Sequence, residues 1–132
     1  MNLGPSTFAA DALPLSSGGV ESASSFKIIC FNANSIGKNP KRKKVFHHLK
    51  KKNFDCVIAC DTRISAAIEK EVENEWGGKC IFNSFSSQTR GVAIFFKSDC
   101  RAKLLDDFRD IEGNVLAVLL GINEEKILLV QT

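Results

Sequence analysis

Two short polar runs hold the residue types best suited to chemistry. Asn32-Ala33-Asn34 and Asp61-Thr62-Arg63 each follow a compact apolar stretch. Two carboxamides and a carboxylate brought together form a hard oxygen site, suited to Mg²⁺ and to phosphate. The same residue types also serve as caps and turn formers, and the residues alone leave that alternative open. A second feature is electrostatic. Between residues 38 and 52 lie eight Lys or Arg and no acid, namely Lys38, Lys41, Arg42, Lys43, Lys44, Lys50, Lys51 and Lys52. The other ten basic residues stand against fifteen acidic ones, so an acidic body of net −5 carries a basic segment. Such a run is either a solvated helix face or a surface for a polyanion, where each lysine–phosphate contact releases counterions. It supplies affinity for phosphate and no sequence information. Cys56 and Cys60 share a face of an extended stretch. No second cysteine pair or spaced histidine pair completes a zinc site, so they read as buried, inert thiols.

The elements that must position these residues follow from the apolar spacing. Residues 26–31 are short, apolar and rich in β-formers, as are residues 55–60, and both read as buried strands. Between them Asn39-Pro40 supplies an N-cap followed by proline at the first helical position. The predicted helix 40–52 puts Val45, Phe46 and Leu49 on one face and lysines on the other. Strand, helix and strand form a βαβ unit whose strands run parallel through a right-handed crossover. Both polar runs then emerge at one C-terminal sheet edge, where α/β proteins place ligands. A second helix over 65–76 follows from Ile64, Ile68, Val72 and Trp76, spaced four apart, and Gly77-Gly78 stops it. Stretches 80–83, 91–97, 102–108, 115–122 and 126–131 read as an antiparallel meander. The class is α/β in the broad sense and α+β in detail.

Composition sets the outer bounds. With 132 residues, 44% hydrophobic and 25% charged, the chain has the make-up of one soluble globular domain. No stretch approaches the roughly 18 apolar residues of a membrane span. Residues 1–25 are small and polar, broken by Pro5 and Pro14, and read as a disordered leader. No Lys or Arg precedes Lys27 and Asp11 interrupts the only apolar patch, which does not suit a signal peptide. Five cysteines without such a signal point to a reducing, intracellular compartment, nuclear or cytoplasmic rather than secreted.

Several stretches carry a resemblance. Ile28-Ile29-Cys30-Phe31-Asn32-Ala33-Asn34-Ser35-Ile36 resembles the first motif of the endonuclease/exonuclease/phosphatase superfamily. The nearest likeness is to the apurinic-type endonuclease domains of LINE-type (non-LTR) retrotransposons. The likeness continues through residues 41–49, 55–65, 75–79, 87–96 and 126–131, and so covers 26–132 in order and spacing. It implies a DNase I-like β-sandwich flanked by helices, of which this chain supplies the first half, roughly the first sheet, with one apolar face uncovered. It also implies Mg²⁺- or Mn²⁺-dependent hydrolysis of a DNA phosphodiester, with DNA or RNA as partner. No membrane and no small-molecule cofactor are implied, and a longer parent would be fused to a reverse transcriptase.

By that resemblance Asn32 and Asn34 match the polar pair that contacts metal and scissile phosphate. Asp61 takes the place of the metal-binding glutamate, one methylene shorter, within Cys60-Asp61-Thr62. Lys38, Lys41, Arg42, Lys43 and Lys44 are the candidates for holding DNA. The family's catalytic tyrosine, Asp-x-Asn pair and Asp-His pair fall beyond Thr132, so the isolated chain is expected to be inactive. Two alternatives stand beside this: a non-catalytic nucleic-acid-binding module built on helix 40–52, and a phosphatase of the same superfamily.

Overall fold

The computed structural model describes residues 12–14 and 26–132. Strands β1 (Ala12–Pro14), β2 (Ile28–Asn32), β3 (Cys56–Cys60), β4 (Cys80–Asn83), β5 (Val92–Phe96), β6 (Lys103–Arg109), β7 (Leu116–Ile122) and β8 (Glu125–Gln131) form two four-stranded sheets. Helix α1 is Asn39–Lys50, and α2 (Glu69–Trp76) follows a single 3₁₀ turn at Ala66–Ile68. No helix is long and apolar enough to cross a membrane among the described residues.

The first sheet has the order β2-β3-β5-β4, with β2 and β3 parallel as the βαβ spacing requires. The central strands β3 and β5 read as unbroken apolar runs because both of their faces are buried. Val57, Ala59, Ala93 and Phe95 face the helices, where Val45, Phe46, Leu49, Val72 and Trp76 close the core. Cys56, Ile58, Val92, Ile94 and Phe96 face the other way and meet Leu116, Val118, Leu120 and Leu129 of the second sheet. The layers are thus helix, sheet, sheet. Trp76 joins helix to sheet, its ring 5.0 Å from Phe46 and 5.3 Å from Phe95, while its indole N–H donates to the Phe96 carbonyl at 2.7 Å.

Several expectations need correction. The five later strands do not form one meander. Strand β5 pairs with both β4 and β3, and the chain then crosses to a second sheet ordered β1-β8-β7-β6. Period-2 alternation identifies strands but not their partners, and the antiparallel β3–β5 pair spans two intervening elements. The first sheet is therefore covered on both faces, and the chain supplies more than one sheet. Of the exposed large apolar side chains, Leu105 and Phe108 belong to β6, on the free edge of the second sheet, while Phe85 and Ile111 lie in turns. The expected leader lies outside the described residues except for Ala12–Pro14, which pair antiparallel with β8 and cover what would otherwise be its unpaired backbone edge.

Helix α1 begins at Asn39, one residue earlier than expected, so Asn39 is not its cap. Lys38 holds the cap position with extended backbone and no side-chain capping bond. What anchors this end is Arg42, whose side chain is 1% exposed. Its guanidinium donates to Glu75 (2.7 and 3.1 Å), to Glu71 (3.2 Å) and to the Gly37 carbonyl (2.9 Å). One side chain thus ties α1 to α2 and to the loop before α1. Arg42 is a buried structural residue and cannot be a surface contact for DNA.

Arg42 also sets a pH dependence. Its hydrogen bonds and charge hold the Glu75 carboxyl below its ordinary value of 4.5. A lowered folded pKa gives stability that is complete above the ordinary value and is lost as pH falls through the lowered one. Arg42→Ala is expected to cost about 1–3 kcal/mol, because the Ile36 and Gly37 carbonyls lose their donor while the partly exposed Glu71 and Glu75 can turn to water. It should also remove the Glu75 share of the acid-limb loss. Urea unfolding at neutral pH and down the acid limb measures both.

Candidate nucleic-acid interface

The parallel β2–β3 ladder continues past the strand ends into loops. Backbone N–H groups of Ala33, Ser35 and Ile36 donate to the carbonyls of Cys60, Asp61 and Thr62 at 2.8 to 2.9 Å. On the other flank Thr62 and Arg63 donate to the Gly91 and Arg90 carbonyls, and Gly91 donates to Gly113 in the β6–β7 turn. Four loops therefore lie side by side as one rim. Lys41 adds a further tie, its ammonium donating to the Asn34 carbonyl. The rim is where the two polar runs were expected to meet, at the C-terminal ends of the parallel strands.

The rim is conformationally strained. Of the seven non-glycine residues with positive φ among the described residues, five lie here: Asn34, Ser35, Asp61, Arg63 and Arg90. Left-handed backbone costs about 1–2 kcal/mol for ordinary residues, and such strain concentrates at functional sites. Gly91 has φ 104°, and a β-carbon there would lie 2.6 Å from the Thr62 hydroxyl. Gly113 has φ 71°, and its β-carbon would meet that of Phe85 at 2.5 Å. Only glycine fits either position.

Several polar side chains at the rim are engaged within the chain. Asn32 is exposed and its Oδ1 accepts from the Asn34 N–H at 2.8 Å, an Asx turn. Asp61 is gripped by Arg63 through two bonds, Nε to Oδ1 at 3.0 Å and Nη2 to Oδ2 at 3.2 Å. Asn83 Nδ2 donates to Asp110 Oδ1 (2.9 Å) and to the Val115 carbonyl (2.7 Å). The Asp110 carboxyl is held below its usual range, chiefly by the Val115 N–H and also by the Asn114 N–H. Arg90 lies over the Phe85 ring at 4.5 Å and donates to the Glu112 carbonyl. Phe85 and Ile111 are exposed.

Of the sequence candidates, Asn32, Asn34, Asp61 and Lys41 come together at the rim. Lys38 is exposed just ahead of α1, and Lys43 and Lys44 are exposed on that helix. None of these four lysines is in an ion pair among the described residues. Arg90, Phe85 and Ile111 were not among the candidates. Their signal was faint: an arginine directly before a glycine, and apolar residues inside turns.

In this structure two of the candidate ligands for the divalent cation that the resemblance implies are engaged by neighbours within the chain. Both Asp61 oxygens face a guanidinium, and the Asn32 oxygen is spent on a backbone N–H. No group of three or more His, Cys, Asp or Glu able to hold a metal gathers among the described residues. The thiols offer no substitute. Burial raises Cys56, Cys80 and Cys100, and burial together with the Asp61 charge raises Cys60, so these thiols stay protonated.

The chain matches no protein-family model and no curated protein. Function must therefore be sought in the rim's own geometry, beginning with the Asp61–Arg63 pair. If the guanidinium is what excludes a cation, Arg63→Ala should raise Mn²⁺ affinity roughly fivefold. That is the scale of about 1 kcal/mol for a partly exposed pair. Water-proton relaxation during Mn²⁺ titration reads the change directly.

Proposed function

We propose that this chain binds the phosphate backbone of a nucleic-acid duplex through the loop rim and the lysines beside it, without hydrolysing it. The observation that carries the reading is the set of cations Lys38, Lys41, Lys43 and Lys44, without ion pairs among the described residues, at or near a rigid edge. The molecule's remaining charge is net acidic. Lysines in the first turn of α1 face the positive end of the helix dipole and no acid offsets them there. An anion placed on this face relieves that repulsion. The resemblance of residues 26–132 to retrotransposon-type endonuclease domains supports DNA as the polyanion. Hydrolysis is not part of the proposal because Asp61, the carboxylate offered as metal ligand, is neutralised by Arg63.

The mechanism of binding is backbone neutralisation. Lys38, Lys41, Lys43 and Lys44 release condensed counterions, while the rim sets orientation. Arg42 takes no part, being buried in its own ion pairs. Fluorescence anisotropy with a labelled duplex should give an affinity that falls linearly with salt on a log–log plot. Changing the four lysines to Gln should flatten that slope by roughly one for each phosphate no longer neutralised. Asp61→Ala should leave binding intact. Salt-independent binding would overturn the reading, and so would Mg²⁺-dependent nicking of supercoiled plasmid that Asp61→Ala abolishes.

A further inference from the structure

Strand β7 reads Leu-Ala-Val-Leu-Leu-Gly-Ile, an unbroken apolar run of the kind that β3 and β5 show because both of their faces are covered. In β7 the burial alternates instead. Leu116, Val118 and Leu120 are buried against the first sheet, whereas Ala117 and Leu119 are only half-buried. Their ladder partners on β8, Val130 and Leu128, are half-buried as well. On β6, Leu105 and Phe108 are 49% and 60% exposed. Both helices pack on the far face of the first sheet, so the outer face of the second sheet is open among the described residues. Its charges are few. Lys126 lies at one end, level with Gly121. Lys103 and Asp106 bracket Leu105, for they pair with Gly121 and Leu119, and a β-carbon on Gly121 would meet Leu105 at 3.2 Å. The backbone edge of β6 is a poor docking site by contrast. It carries a register shift between Leu104 and Asp106, and the Asp107 N–H is taken by Asp106 Oδ1 at 2.8 Å.

We propose that a second copy of this chain covers the open face, the two outer sheets packing face to face about a two-fold axis. The charge pattern selects that occupant. An axis between the sheets that crosses both β6 strands at Leu105 reverses their direction. Lys103 of each copy then lies over Asp106 of the other, with Leu105 against Leu105. A surface that carries its own complement suits an isologous interface. The size agrees. Strands β6 to β8, seven residues each, span roughly 14 by 24 Å at ordinary strand spacing. With side-chain relief on both copies that is on the order of 1,000 Å² in total, the lower bound for specific association. The dimer is therefore weak and concentration-dependent. Its layers run helix, sheet, sheet, sheet, sheet, helix, which keeps α1 of each copy away from the contact.

The test is sedimentation equilibrium of the full 132-residue chain over a rising concentration series. The average mass should climb from that of one chain toward that of two. Leu105→Lys sets like charges against each other at the axis and should weaken dimerisation by roughly tenfold or more. Urea unfolding of the same variant, altered at an exposed site, checks that the fold is kept. Lys103→Asp and Asp106→Lys should each weaken the dimer, and the two combined should restore it, because the swap rebuilds the same contact. A chain that stays monomeric at every concentration overturns the proposal and leaves the face to a different partner. A dimer that survives Leu105→Lys overturns it too, as do charge reversals that fail to rescue each other.

Discussion

The Asp61-Thr62-Arg63 turn is bonded on both flanks, and the rim depends on that. Its carbonyls accept from the loop after β2, and its N–H groups donate to the loop before β5. The constraint comes from topology. β3 lies inside the first sheet, between a parallel and an antiparallel neighbour, so the chain leaving it emerges between two other chains. Buried Thr62 marks the pivot, and the left-handed residues on either side let the backbone face both neighbours at once. The strain at Asp61 and Arg63 persists because the surrounding bonds over-determine it. Loops at sheet ends are ordinarily the mobile part of a domain. Here they extend the ladder.

Electrostatics at this rim turns on which charges are already paired. Two arginines are neutralised internally, Arg42 by Glu75 and Glu71 and Arg63 by Asp61. The lysines beside them are not. Arginine's planar fork suits fixed, bidentate pairs, whereas lysine is a mobile point charge that contacts phosphate without demanding geometry. The arginines hold the fold together, and the lysines are left for the polyanion contact proposed above. The carboxylate that most resembles a metal ligand is itself paired, with Arg63. Its charge is already used in shaping the turn that carries it.

Much of this arrangement was legible in the sequence, and the misses have specific physical causes. Strand positions, the parallel β2–β3 pair and the Gly77 stop followed from periodicity and local chemistry. Sheet membership did not, because the β3–β5 pairing is non-local and alternation carries no partner information. Arg42 is the instructive case. Its charge groups it with its basic neighbours, yet residues 42, 45, 46 and 49 have the i, i+3, i+4, i+7 spacing of a buried helix face. Glu71 and Glu75, four apart on α2, were the matching half of that signal. The Asp61–Arg63 pair, within one tripeptide, was also readable. The Phe85–Arg90–Gly113 stack was not, since the β4–β5 and β6–β7 turns come together only when the sheets pack.

The basic helix start carries a cost that connects fold to function. No acid lies in the first turn of α1, and each uncompensated cation at a helix N-terminus opposes the dipole by about 0.3–1 kcal/mol at low ionic strength. Mutual repulsion among Lys38, Lys41, Lys43 and Lys44 adds to this. The fold tolerates it because α1 is held from the other side, by Val45, Phe46 and Leu49 in the core and by the Arg42 pairs. Apolar packing is insensitive to such screening, whereas the repulsion is damped within about a Debye length. Salt therefore relieves this face, and under the proposed binding it would weaken the hold on a polyanion. Under the proposed binding, a polyanion that neutralises these lysines would recover the electrostatic free energy that the core offsets, coupling binding to folding through the same four side chains.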